Sequence, residues 1–345
     1  MDMRPLFRHL FHPKFPFEKA ARLLGEARDL AVLEAAARDH RWPALSEADT
    51  GKALERCAHD GFSVVPWGGA GYPEPLARIA MPPLALFVRG GMTAPLALAV
   101  VGSRRPRPES LEFARHLADA LARRGVAVVS GLARGVDSSA HRGALEAGGT
   151  TWAVLGSGLA RIYPPEHRPL AESIAAAGAV ISEYPPDTPP HASRFPARNR
   201  IIAGLCRGVV LVEAAARSGS LITARLALEE GRDLFVAPGG VLDERFVGSN
   251  FLIKQGAKLV QTPEDVLEEY PEIGPAPAPK AERPRVEGAE GTVLDALSFD
   301  RPQTVDELAK TLRMKVAELN AALTGLELKG LVRRHPGGAW TKILL

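Results

Sequence analysis

The stretch Ser193 to Leu205, SRFPARNRIIAGL, gathers residue types that handle nucleic acid. Three arginines, Arg194, Arg198 and Arg200, surround Phe195. Pro196 fixes φ and suits a first helical turn, which predicts a helix beginning there with Phe195 just outside it. The free N–H groups of a helix start attract anions. Ile201, Ile202 and Leu205 give that helix an apolar face to bury, leaving the arginine end outside. An aromatic face ringed by guanidinium groups suits unstacked bases and phosphates. These residues alone leave open a solvated, arginine-rich helix start with Phe195 stapled into the core.

Similar chemistry recurs after successive apolar runs. GSRRPRP supplies Gly102, Ser103, Arg104, Arg105 and Arg107; SGLARGVD supplies Gly131, Arg134, Gly135 and Asp137; GSGLARIYPPEH supplies Arg161. ARSGSLITA places Ser218, Gly219 and Ser220 before another helix start, and Pro238 to Gly240 form a further turn. Glycine lets backbone amides approach a phosphate, and serine hydroxyls add donors. Glycine-rich loops on one rim, four of them with arginine, predict an extended anionic ligand. No G-x-x-x-x-G-K-[ST] is present, and Arg161 takes the third glycine's place after Gly156 and Gly158, so neither a P-loop nor a dinucleotide site is expected. Asp137, His141, Glu183 and Glu213 fall near strand ends without a legible nucleophile–base pair or metal-ligand set. Asp137 is expected to cap the following helix and His141 to be a satisfied helix residue. Binding without catalysis, cofactor or metal is the expectation.

Such a rim needs strands that end together. LALAVVG (from Leu96), VAVVSG (Val126), TWAVLGSG (Thr151), AVISEY (Ala179), GVVLVEAA (Gly208), DLFVAPGG (Asp233) and AKLVQ (Ala257) are apolar runs separated mostly by helix-length segments. That pattern predicts a doubly wound, mostly parallel α/β sheet of extended Rossmann-like type. Glu18–Leu33 and Glu47–Asp60 read as helices of a small N-terminal module, and Pro271 opens a proline- and charge-rich linker. Three further helices and a hairpin turning at Pro336, Gly337 and Gly338 predict a winged-helix-like tail. The expected domains are therefore 1–75 (helical), 76–270 (Rossmann-like), 271–287 (linker) and 288–345 (winged-helix-like).

At 345 residues and 46% hydrophobic content, the chain has material for two or three globular domains. A formal charge of +3 permits a nucleic-acid partner without demanding one. Cys57 and Cys206 lie too far apart for metal-ligand spacing, so neither a disulfide framework nor a zinc site is expected. No membrane-length apolar run or signal peptide is seen, which makes the cytoplasm the expected location.

VVGSRRP, SGLARGVDSSAH, VLGSGLARIYPPEH, SEYPP, FPARNRIIAGL, LVEAAARSGSLITARLALEEGRD and GSNFLIKQGAKLV follow one another in this order. Together they closely resemble the DNA-processing protein A family (DprA, also called Smf), strongly from Gly61 to Tyr270. The N-terminal module then corresponds to that family's SAM-like domain and the tail to its winged helix. The resemblance implies a cytoplasmic homodimer that binds and protects single-stranded DNA (ssDNA) taken up in natural transformation. It also implies loading of the RecA recombinase, displacing or bypassing single-strand-binding protein. The family's ssDNA pocket falls on Arg104, Arg194, Phe195, Arg198 and Asn199, residues of the rim already selected. Ala160 and His167 depart from the family pattern, where an acidic residue and an asparagine are common.

Two other functions compete. Related α/β hydrolases cleave the N-glycosidic bond of nucleoside monophosphates, but their PGGxGTxxE-type loop is replaced here by Pro238-Gly239-Gly240-Val241-Leu242-Asp243-Glu244. A duplex-specific factor acting through the tail would lose DNA binding on deletion of 291–345.

Overall fold

A computed structural model describes residues 4–274, 286, 288–298, 301–335 and 337–343. Its centre is a nine-stranded sheet: β1 (Ser63–Pro66), β2 (Ala85–Gly90), β3 (Leu96–Val101), β4 (Val126–Ser130), β5 (Thr151–Leu155), β6 (Ala179–Ser182), β7 (Gly208–Leu211), β8 (Asp233–Val236) and β9 (Lys258–Leu259). The order is β1-β2-β6-β5-β4-β3-β7-β8-β9, parallel from β6 to β9. All seven apolar runs form strands of the doubly wound sheet.

The alternation of β3 shows why both faces are covered. Leu96, Leu98 and Val100 pack with the helices Pro108–Arg123 and Val136–Glu146, whereas Ala97, Ala99 and Val101 pack with Arg194–Leu205 and Ser220–Glu229. Side chains of successive strand residues point to opposite faces, so a continuous apolar run needs a helix layer on each.

Two strands were not legible as such. GFSVVPW and PLALFVRGG supply β1 and β2, which pair antiparallel with each other and with β6. β1 therefore belongs to the sheet, although it lies within the stretch 1–75 read as helical. The N-terminal helices Arg4–Leu10, Phe17–Ala27, Leu30–Asp39 and Glu47–His59 share one core with the sheet: Leu10, Phe11, Leu24, Leu33 and Trp42 cluster with Phe87, Leu155 and Leu170.

The tail contains helices Gly288–Ala296, Val305–Leu312 and Val316–Leu328, with a hairpin pairing Arg334 to Trp340. The short strand Gln303–Thr304 joins that hairpin, and Thr304 and Glu307 close a capping box. This is a winged helix. The linker read at 271–287 falls mostly outside the described residues, as does Pro336 of the predicted turn. Among the described residues no helix is long and apolar enough to cross a membrane.

Candidate nucleic-acid interface

The strand order reverses beside β3. The chain proceeds outward through β4, β5 and β6 on one side and through β7, β8 and β9 on the other. Loops leaving β3 and β7 diverge there and open a crevice beyond the carboxyl ends of the strands. The crevice holds about 870 Å3. It brings together Gly102, Ser103, Arg104 and Arg105 from the β3 loop, Phe195, Arg198 and Asn199 from one helix start, and Ser218, Gly219 and Ser220 from another.

Backbone contacts set the β3 loop. Val136 N–H donates to the Ser103 carbonyl at 3.1 Å, and Gly135, at φ +81°, would carry a Cβ 2.3 Å from that oxygen. Only glycine permits both the conformation and the approach. Ser103 Oγ accepts from Arg105 N–H at 3.1 Å. On the far side, the buried Glu213 carboxylate accepts from Arg107 N–H at 2.9 Å and Ser110 Oγ at 2.7 Å, tying the β3 loop to the end of β7. The Arg104 and Arg105 side chains stay exposed and form no ion pair among the described residues. Across the crevice, Ser218 Oγ and Ser220 Oγ share a 2.6 Å hydrogen bond at the start of Ser220–Glu229.

Phe195 differs from its predicted position. The helix runs Arg194–Leu205, so the phenylalanine sits in its first turn instead of preceding it. First-turn N–H groups have no intrahelical acceptor, so Pro196 in that turn sacrifices no hydrogen bond. The ring is half-buried. Behind it is Gly156, over it lies the Arg104 guanidinium at 5.6 Å, and beside it stands Tyr163, with ring centroids 5.4 Å apart.

Arg198 forms the floor. Its guanidinium is almost wholly buried and donates to the carbonyls of Gly131 (2.8 Å) and Val154. Burial lowers its pKa to about 10 against the pull of Asp137, so it remains charged at neutral pH. Its Nε donates to Asn199 Oδ1 at 3.2 Å. An arginine cannot accept, so the Asn199 amide oxygen must face it and the Nδ2 donors are left to other partners. Asp137 does not cap its own helix; it accepts from Gly131 N–H (3.1 Å) and Ala133 N–H (3.3 Å) in the loop before it. Burial pushes its carboxyl up, with Arg198 opposing.

Five candidate residues lie outside the crevice. Arg200 turns inward into a buried ion pair with Glu183 and donates to the Met81 carbonyl at 2.9 Å. Arg194 folds back over Tyr184, 5.1 Å from its ring, and donates to the Pro189 carbonyl. Gly131 is buried beneath Arg198, where a Cβ would meet the guanidinium at 2.6 Å. Arg134 pairs with Glu166, and Arg161 stands exposed on the third loop. One helical turn points successive side chains around the axis, so three neighbouring arginines could not share one ligand. Among the lining residues that escaped sequence reading are Tyr163, His191 and Arg217. Arg217 opens the RSGS loop, and that arginine was its signal; Tyr163 gave none beyond being an aromatic beside prolines.

The titratable groups near strand ends are fasteners. Besides Asp137, Glu183 and Glu213, buried His141 lies 2.7 Å from Thr151 Oγ1, whose hydroxyl donates to the Val128 carbonyl. His141 Nδ1 must then carry the proton, and its buried Nε2 has no partner among the described residues, so the ring is only half satisfied, contrary to expectation. His167, the departure noted in the third loop, hydrogen-bonds the Leu132 carbonyl at 2.9 Å and so pins the loop after β4.

A doubly wound α/β protein with a cationic, aromatic crevice at its switch point is thus defined. Residues 63–271 match the family described as DNA recombination-mediator protein A, and residues 275–338 match the DprA winged helix domain. The chain belongs to the DNA recombination-mediator protein A family. It is 42% identical over 286 residues to Protein Smf of Escherichia coli, covering 80% of this chain and 76% of that one. The crystal structure of DNA processing protein A from Streptococcus pneumoniae superposes with a TM-score of 0.66 at 34% identity, covering 78% of this chain and 98% of that one. DNA processing protein A from Helicobacter pylori, solved for its single-stranded DNA binding mode, gives 0.55 at 32% identity over 60% of this chain and 94% of that one.

Proposed function

We propose that this protein binds ssDNA along the switch-point crevice and hands it to a recombinase of the RecA type during natural transformation, displacing or bypassing single-strand-binding protein. The observation that carries the binding reading is the set Arg104, Arg105 and Arg217, exposed and without ion pairs among the described residues, around half-buried Phe195. Free guanidinium groups take phosphates while a π-face takes a base. Three helix starts, at Val136, Arg194 and Ser220, add oriented N–H groups. We assign the contacts to Gly102, Ser103, Arg104, Arg105, Phe195, Asn199, Arg217, Ser218, Gly219 and Ser220, with Arg198 as their support. The family's name as a recombination mediator and the Helicobacter pylori relative's DNA binding mode support the same reading.

The reading is one of binding without turnover in the cytoplasm. Asp137, Glu183, one oxygen of Glu213 and Nδ1 of His141 hold backbone or side-chain partners. Glu213 Oε1 and His141 Nε2 are buried without one among the described residues, and neither residue lines the crevice. We also propose a homodimer. Leu259 on β9, an open edge of the sheet, is exposed, as are Val247 and Phe251 on the helix Val247–Lys254 just before it, and exposed apolar edges seek a partner.

A titration of labelled single-stranded and duplex DNA at several salt concentrations tests this function. Single strands should bind more tightly. Equal affinity for duplex, or release of free base from nucleoside monophosphates, would favour the competing functions.

A further inference from the structure

Tyr163 is unusual among the aromatic residues. It is 40% exposed, it lines the crevice, and its hydroxyl has no hydrogen-bond partner among the described residues. Its ring meets Phe195 at 5.4 Å between centroids with an angle of 46° between planes. Phe195 is held from behind by Gly156, so the angle between the rings is set by the scaffold on at least one side. Among the described residues its one aromatic contact is with Phe195, the other ring of the crevice.

Two rings tilted in this way cannot both lie against bases of a regular stack, where successive planes are parallel and about 3.4 Å apart. Each can take a base only if neighbouring nucleotides splay apart. An unpaired strand does this at the cost of one unstacked step, whereas a duplex would have to break pairs as well. We propose that Tyr163 is a second base-contact residue, and that with Phe195 it forms a two-nucleotide platform selecting single strands over duplex. This rests on the ssDNA-binding reading above. The cations of the rim attract any phosphate chain; the tilted platform distinguishes the two kinds.

The test compares Tyr163→Ala, Tyr163→Leu and Tyr163→Phe in the full chain, with a fluorescent oligothymidylate and a duplex of matched length as probes. Tyr163→Ala and Tyr163→Leu should each weaken single-strand binding about 5- to 150-fold, the range for one base–aromatic stack. Duplex affinity should change less than twofold, so that the ratio between the two probes falls; Tyr163→Phe should keep it. Melting temperatures should stay near that of the parent. Irradiation of a strand carrying 5-iododeoxyuridine should attach it to the peptide containing Tyr163. Normal single-strand binding by Tyr163→Ala, with binding lost in Phe195→Ala, would overturn the platform and leave the crevice as the site. An equal loss for both probes would show a contact that does not select. No single-strand binding by the parent protein would refute the underlying function and the platform with it.

Discussion

Gly156 lies directly behind the ring of Phe195: a Cβ there would stand 2.8 Å from Phe195 Cδ1 and 3.3 Å from its Cα. The backbone at Gly156 is outside the left-handed region, so alanine there is opposed by contact with Phe195 and not by φ. Gly156→Ala should push the phenylalanine forward and weaken ssDNA binding, while Phe195→Ala should cost about 1–3 kcal/mol of binding. Because the ring is half-buried, its removal should cost less stability than the roughly 3–5 kcal/mol of a core phenylalanine. Affinity and melting temperature measured on the same preparations check both. A full core cost with normal binding would make Phe195 a staple.

Arg198 and Arg104 should separate cleanly. Arg198→Ala leaves Asp137 buried without its guanidinium and the carbonyls of Gly131 and Val154 without their donor. Leaving buried acceptors without their donor in this way costs about 1–3 kcal/mol. Arg104→Ala should barely change urea unfolding yet weaken binding. Asn199→Asp, which replaces the amide donors by a carboxylate facing the strand, should also weaken binding without unfolding the chain.

Salt dependence identifies the arginines on the phosphate path. The log–log slope of ssDNA affinity against salt should be roughly −0.7 per neutralised phosphate. Arg104→Ala, Arg105→Ala and Arg217→Ala should each flatten it. Arg194→Ala should flatten it less, because that side chain is engaged with Tyr184 and Pro189. Unchanged slopes for the first three would remove them from the path.

Stability should fall on mild acidification. Burial lowers the pKa of His141 to about 3, with the charges of His167, Arg198 and Arg142 adding to it. The unfolded chain takes up that proton near pH 6.5, so the stabilisation is complete above pH 6.5 and is lost progressively as pH falls toward 3. Between pH 7 and pH 5 this one group should account for about 2 kcal/mol of lost unfolding free energy. Urea unfolding at both pH values checks it, with His141→Asn showing a smaller difference. An equal difference in both proteins would assign the pH dependence elsewhere.

The order of apolar runs and helices determined the doubly wound sheet, because strands buried on both faces must read as continuous Val, Ile, Leu and Ala. Helix ends and glycines likewise placed Gly102 beyond a strand end and Phe195 and Ser218–Ser220 at helix starts, and the sheet carried them to one rim. The antiparallel strands β1 and β2 were hidden: four and six residues among prolines look like a connection until β6 offers an edge to pair with. Side-chain direction was hidden too. Arg194, Arg198 and Arg200 are equivalent cations in the sequence, yet the structure sends one over Tyr184, one into the floor and one to Glu183. Tyr163 joins Phe195 only because the neighbouring strands β5 and β6 bring the loop after one against the helix start that follows the other. Local pattern determines which elements form, since it needs only neighbours in the chain. The environment of each charged or aromatic tip depends on residues tens of positions away, and only the packed tertiary structure decides it.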